Sequence, residues 1–263
     1  MDRIIDYENL SERIQEWILS YTVENKITTL VVGVSGGIDS AVVSTLCAET
    51  GLPTLVIGMP LNSSESNTEL SNKHISFLCE KYKNVNGYTI DLSKTFQEFK
   101  SNVLFEKQFN SELGFANTKS RLRMITLYQI AASRNGIVVG TGNKVEDFGV
   151  GFYTKYGDGG VDISPIADLY KTEVRNLGRH LGVIDEIIKA EPTDGLWEDN
   201  RVDEVQIGAT YEELEWVMEK GISKQNYSEK EYKIIETYLC FNRKNKHKMV
   251  SIPIFDLKVN EII

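Results

Sequence analysis

The chain has 263 residues, 41% of them hydrophobic, and carries 29 lysines and arginines against 38 aspartates and glutamates, a formal charge of −9. That apolar content supports a sizeable core and argues against disorder. So acidic a chain is a poor prospect as a nucleic-acid binder, because phosphates are met by lysine and arginine. The three cysteines, Cys47, Cys79 and Cys240, lie far apart and form no CxxC pair. They exclude a zinc cluster or disulfide framework, fit a reducing compartment, and each reads as a small core residue. No apolar run reaches the ~20 residues of a membrane span. The acidic, amphipathic start "MDRIIDYENLSERIQEWILS" is not a signal peptide. The expectation is a single cytoplasmic domain over residues 1–263, without membrane or nucleic-acid partners.

In chain order, Leu10, Ile14, Trp17, Ile18 and Tyr21 recur at helical spacing, with Asn9 or Ser11 as the cap. Trp17 and Tyr21 suit a core or a subunit interface equally. "ITTLVVGV" (27–34) is a buried strand, and "DSAVVSTLCAETG" a helix ending at Gly51. "PTLVIGMP" (53–60) is a second strand, followed by a polar loop "LNSSESN" and a helix carrying Leu70, His74, Phe77 and Leu78. "NGYTIDL" (86–92) is a third strand and "SKTFQEFKSNVLF" a helix. Residues 117–136 predict a long helix and 137–143 a fourth strand. Continuous apolar strands alternating with helices imply an α/β fold, a doubly wound parallel sheet covered on both faces. Beyond 143 the pattern breaks into a Gly-rich stretch and the acidic "EPTDGLWEDNRVDEVQIG", both read as functional loops. "LYKTEVRNLGRHLGV", "TYEELEWVMEKG" and "SEKEYKIIETYLCFNRKNKHK" are helical. His74 and His180, inside helical patterns, read as structural.

Ligands of such sheets sit beyond the carboxyl ends of the strands. "VSGGIDS" and "GTGNKVED" both fall at such ends, so they should converge on one site. Gly36 and Gly37 let the backbone turn sharply and approach an anion. Free N–H groups at the following helix start favour a polyphosphate. Ser35 and Ser40 add hydroxyls. Asp39 would repel phosphates unless a divalent metal lay between, and Mg²⁺ takes such oxygen ligands. A GxxxxGK[ST] loop would place a lysine on the β and γ phosphates; this loop has none. The stretch resembles the SGGxDS loop of the ATP pyrophosphatases, which split ATP between its α and β phosphates to adenylate a substrate.

Further pieces narrow the resemblance. "GTGNKVED", "GFYTKYGDGGVDISPIADLYKTEV", "RLRM" and the closing "HK" look like NAD synthetase, with "TKYGDGG" the most discriminating. The resemblance covers Val31 to Lys248 and implies an adenine-nucleotide alpha-hydrolase-like fold. It also implies conversion of nicotinic acid adenine dinucleotide to NAD, with ATP going to AMP and pyrophosphate. By the same resemblance, Gly33, Val34, Ser35, Gly36, Gly37, Ile38, Asp39 and Ser40 hold ATP, together with Thr141, Lys171 and Thr193. Asp39 and Glu146 hold Mg²⁺. Arg121, Lys155, Asp162, His247 and Lys248 contact the dinucleotide, and the assembly is a homodimer. Asp147 competes with Glu146 as metal ligand; the spacing of five from Thr141 favours Glu146.

Asp39, Lys171 and Asp158 are the expected catalytic groups, Lys171 meeting charge on the phosphate oxygens in the transition state. Asp158 or Asp162 would orient or deprotonate ammonium, or simply bind substrate hydroxyls. The four glycines at 151, 157, 159 and 160 would let their stretch close over an adenylate and exclude water. The N-terminal 30 residues have no room for an amidase domain and no cysteine sits in a nucleophile's setting, so ammonia is the expected nitrogen donor. Two rivals remain: another adenylating ligase or tRNA thiolase of the same superfamily, and a non-catalytic nucleotide-binding module.

Overall fold

The computed structural model describes residues 3–4, 6–61, 65–193, 195–197, 201–222 and 226–255. Part of the expected loop at 61–67 and of the acidic stretch at 191–208 therefore lies outside the described residues. The first elements are α1 (Tyr7–Glu24), β1 (Thr29–Gly33), α2 (Ile38–Glu49), β2 (Thr54–Gly58), α3 (Glu65–Lys81), β3 (Val85–Thr89) and α4 (Ser93–Val103). Next come α5 (Glu112–Ala132), β4 (Gly136–Val138), α6 (Lys171–His180), α7 (Asp185–Lys189), α8 (Asp203–Ile207), α9 (Tyr211–Trp216) and α10 (Glu229–Met249). The four strands form one parallel sheet in the order β3-β2-β1-β4. The order reverses direction at β1 and β4, and that reversal opens a crevice at their carboxyl ends.

β1, β2 and β4 bury both faces because their side chains alternate, whereas the edge strand β3 is mostly exposed. Leu30, Val32, Ile137 and Val139 join Ile14, Ile18, Val42 and Leu46 in one core layer, which also takes in α6 and α7. Val31, Leu55, Ile57 and Val138 face the opposite layer with Phe96 and Phe115. Each such side chain contributes roughly 1.5–3 kcal/mol by leaving water. A separate apolar cluster lies outside the sheet, where Val145, Val150 and Tyr170 pack against Tyr211, Leu214, Ile234 and Tyr238. This second core fixes the C-terminal elements that face the crevice.

Several expectations shift. Asp6, rather than Asn9 or Ser11, caps α1 by accepting from the Asn9 amide at 2.9 Å. Five residues ahead of its expected start, α5 begins behind a Ser111 cap that accepts from the Gly114 amide. Local cap hydrogen bonds, which apolar periodicity does not encode, decide both starts. The break after 143 contains a π-helical turn, Lys144–Val150. Cys47 is buried as expected, but Cys79 and Cys240 are exposed, Cys79 lying beside Gly87 of the exposed edge strand β3. Trp17 is 46% exposed, while Tyr21 packs on the core.

Candidate active site

The turn between β1 and α2 is held by its own serines. The Ser40 hydroxyl accepts from the Ser35 amide at 3.2 Å and donates to the Gly37 carbonyl at 3.0 Å. The Ser35 hydroxyl accepts from the Gly37 amide at 3.2 Å. Gly36 has φ of +90°, a conformation open to glycine and strained for other residues. Ser71 of α3 donates to the Val34 carbonyl at 2.7 Å and pins the turn from behind. Gly37 caps α2 without any side-chain hydrogen bond. The first amides of that helix are therefore available to an anion, with the helix dipole aligned behind them.

Across the crevice a buried Asn143 organises the end of β4. Its carbonyl oxygen accepts from the Val145 and Glu146 amides, both at 3.1 Å. Its amide group donates to Asp39 Oδ1 at 3.2 Å. Glu146 is thereby aimed into the crevice from the π-helical turn. Lys171, the first residue of α6, is 3% exposed and donates to Asp39 Oδ2 at 2.5 Å and Glu146 Oε1 at 2.9 Å. The hydroxyl of Tyr211, on α9, donates to Glu146 Oε1 at 2.6 Å.

Charge in this group is set by crowding. Burial works against the Lys171 ammonium, yet Asp39 and Glu146 outweigh it and hold it charged. Burial alone would raise Glu146, but Lys171 and Tyr211 bring it below the usual carboxylate range. Burial pushes the Asp39 carboxyl up, only partly offset by Lys171, and Glu146 adds to the rise. Two carboxylates on one ammonium leave a negative charge over when both are ionised. Among the described residues no three or more His, Cys, Asp or Glu cluster to hold a metal unaided. A carboxylate pair short of one positive charge, beside an anion-binding turn, fits Mg²⁺, which completes its shell with phosphate oxygens and water.

One cavity joins these groups. It is lined by Gly33 through Ser40, by Thr141, Glu146, Lys171 and Thr193, and also by Asp147, Asp158 and Arg123. Asp158 borders the open cavity but is crowded by protein elsewhere, and this crowding raises its carboxyl. Ser120 donates to it at 2.7 Å and the Thr154 amide at 3.0 Å. Asp147 packs over Gly142, where an added Cβ would meet its carboxylate at 1.9 Å. Burial first, then Glu146, Asp158 and Asp39, push the Asp147 carboxyl up to about 8. Glu146, not Asp147, shares Lys171 with Asp39.

The expected dinucleotide contacts divide. Arg121 donates to the Lys155 carbonyl at 3.2 Å, and Lys155 Nζ to the His247 carbonyl at 3.0 Å. Lys248 Nζ reaches the Tyr153 carbonyl at 2.7 Å. None of the four lines the cavity, although Lys248 lies close enough to Asp147 and Asp158 to feel their charge. Asp162 does not line it either. Its Oδ2 accepts from the Val138 amide at 2.7 Å and its Oδ1 from Tyr128 at 3.1 Å. The carboxylate is spent on terminating the short strand β4. Asn143, Tyr211 and Ser120 were not anticipated. Asn143 lies inside the quoted "GTGNKVED", whereas nothing around Tyr211 in the sequence marks it.

A polyphosphate-ready turn at the switch point of a parallel sheet, faced by a carboxylate pair and a buried lysine, defines an α/β nucleotide-binding protein of the adenine-nucleotide alpha-hydrolase type. The family model described as NAD synthase matches residues 10–251, and the chain belongs to that family. It is 36% identical over 259 residues to the NH(3)-dependent NAD(+) synthetase of Methanosarcina acetivorans, covering 96% of this chain and 100% of that one. Among solved structures, an NMN synthetase from Francisella tularensis superposes with a TM-score of 0.85 at 29% identity, covering 97% and 100% of the two chains. An NH3-dependent NAD synthetase from Campylobacter jejuni superposes with a TM-score of 0.75 at 26% identity, covering 96% and 100%.

Proposed function

We propose that the chain is an ammonia-dependent ligase that amidates nicotinic acid adenine dinucleotide to NAD, with ATP going to AMP and pyrophosphate. The observation that carries this is the meeting of Asp39, Glu146 and Lys171 at the mouth of the serine-pinned turn, in the same cavity as Asp158. The α2 amides and Ser35 hold the ATP phosphates. Asp39 and Glu146 would hold Mg²⁺, which when bound neutralises phosphate charge. Lys171 sits where charge grows on the phosphate oxygens as the α–β bond breaks, where electrostatic stabilisation counts most. The nicotinate carboxylate attacks the α-phosphorus, and pyrophosphate leaves with the bonding electron pair. Ammonia then attacks the acyl adenylate carbonyl, AMP departs and a proton is lost. Asp158, which borders the same cavity, would orient the incoming ammonium or take a proton from it. No enzyme nucleophile is required; positioning and charge supply the rate.

Arg121, Lys155, His247 and Lys248 form a basic rim for the pyridine nucleotide, and a homodimer would close that rim. The rim reading requires those side chains to leave their present carbonyl partners. A second reading has its own support: the likeness at TM-score 0.85 to a protein described as an NMN synthetase points to the mononucleotide as substrate of the same chemistry. One assay separates them. Purified chain is given ATP, Mg²⁺ and ammonium with either nicotinic acid adenine dinucleotide or nicotinic acid mononucleotide. The expected outcome is AMP, pyrophosphate and NAD, with the higher kcat/KM for the dinucleotide. A higher kcat/KM for the mononucleotide establishes the second reading, and ADP with orthophosphate refutes both.

A further inference from the structure

Lys171 must hold its ammonium against two carboxylates; α6, which it begins, packs on the core through Val174 and Leu177, and its N-terminus is anchored by side chains. Two carboxylates do this anchoring. Glu173 Oε2 accepts from the Tyr170 amide at 2.8 Å. Glu215 accepts from the Thr172 amide at 3.0 Å and from the Thr172 hydroxyl at 2.7 Å. Negative charge suits a helix N-terminus, but Glu173 is 7% exposed, and a buried carboxylate is costly unless paired. Its partner comes from the far end of the chain. Arg3 Nε meets Glu173 Oε1 at 2.9 Å and Arg3 Nη2 meets Oε2 at 2.7 Å. The same Nη2 donates to the Asp168 carbonyl at 2.8 Å, and the guanidinium lies 4.4 Å from the centre of the Tyr170 ring.

We propose that Arg3 is a positioning residue for Lys171. Its planar fork ties residues 168, 170 and 173 into one rigid turn, and that turn sets where the lysine ammonium stands relative to Asp39 and Glu146. A lysine in its place could supply charge but not the bidentate geometry. The inference rests on the role given to Lys171 above.

The test uses the full chain and steady-state kinetics with ATP, ammonium and the pyridine nucleotide. Arg3→Met is expected to lower kcat roughly 10-fold, since small misplacements of reacting groups are expensive, while KM for the pyridine nucleotide stays within about twofold. Arg3→Lys should recover part of the loss. The decisive arm is the Lys171→Met background, where Arg3→Met should cause no further fall in kcat, because its effect passes through the lysine. A loss that multiplies in that background, or a kcat unchanged by Arg3→Met, overturns the proposal. If Arg3→Met folds poorly, Glu173→Gln, which keeps an acceptor for the Tyr170 amide, is held to the same criteria. A Lys171→Met enzyme with undiminished kcat would refute the role of Lys171 itself, and would do so separately from any result at Arg3.

Discussion

The sheet half of the molecule and the part after β4 face each other across the crevice and are built on different terms. The first, Thr29 to Val139, presents main-chain amides and serine hydroxyls that its own strand–turn–helix geometry holds in place. The second, from Asn143 to Tyr211, presents Glu146, Lys171 and Tyr211 on a π-helical turn and two helix starts; a separate apolar cluster holds the turn and α9, while α6 packs on the sheet's own core. A turn of amides binds phosphate wherever it is folded. Breaking a phosphate bond needs charge placed against it, and that charge arrives only when the two halves dock. Asp39, from the sheet half, bonds directly into the charged group opposite, through Lys171 and Asn143.

The largest expected effect is therefore at Asp39. Asp39→Asn should keep the fold, since Lys171 retains Glu146, and should lower kcat on the order of 10²–10³-fold, as loss of a pre-set charge partner does. An undiminished rate measured by pyrophosphate release would sever the link between the halves. Tyr211→Phe probes the other side. It removes only the hydroxyl that donates to Glu146 at 2.6 Å, and the buried ring remains. The expectation is a loss of kcat of roughly 10-fold, in the range for groups that orient a metal-holding carboxylate, with melting temperature little changed.

The smallest catalytic effect belongs to His74, in the sheet half. This fully buried side chain meets the Ser44 hydroxyl at 3.0 Å, and Ser44 donates to the Ser40 carbonyl at 2.6 Å. Ser44 has then given its only proton, so His74 Nε2–H must be the donor. Burial pushes the His74 pKa down to about 4 from 6.5. Between those values the unfolded chain binds more protons than the folded one, so stability is full above pH 6.5 and falls as pH drops towards 4. The linkage amounts to about 3 kcal/mol. His74→Gln should flatten the fall of stability between pH 7 and 5, followed by denaturant unfolding, and leave kcat at pH 7.5 within about twofold. A large kcat loss would mean that the turn depends on support from behind as well as on its own serines.

Much of this was open to reading from the chain. The strands and the anion-binding turn are local: an apolar run, two glycines and a helix start encode them within a dozen residues, and the alternation of strand with helix implies a parallel sheet but not its strand order. The Asp39, Glu146 and Lys171 group was named through resemblance to a family, not through spacing, since Asp39 and Lys171 stand 132 positions apart. Asp162 shows the opposite case. Its residue type and Gly-rich setting suit a ligand contact, yet the nearest open donor is the Val138 amide, and the carboxylate goes there. Cys79 and Cys240 fell outside because residue type sets a preference for burial while tertiary placement decides it.

By itself, then, the sequence determined which segments alternate between strand and helix and where the backbone can turn around a phosphate, because period and glycine placement act over short range. Tertiary structure alone decided which charges share a lysine, which carboxylate ends a strand and which side chains reach the crevice. Those outcomes depend on how helices dock on the sheet and on a second core, and a buried charge takes whichever partner that docking brings within hydrogen-bond reach.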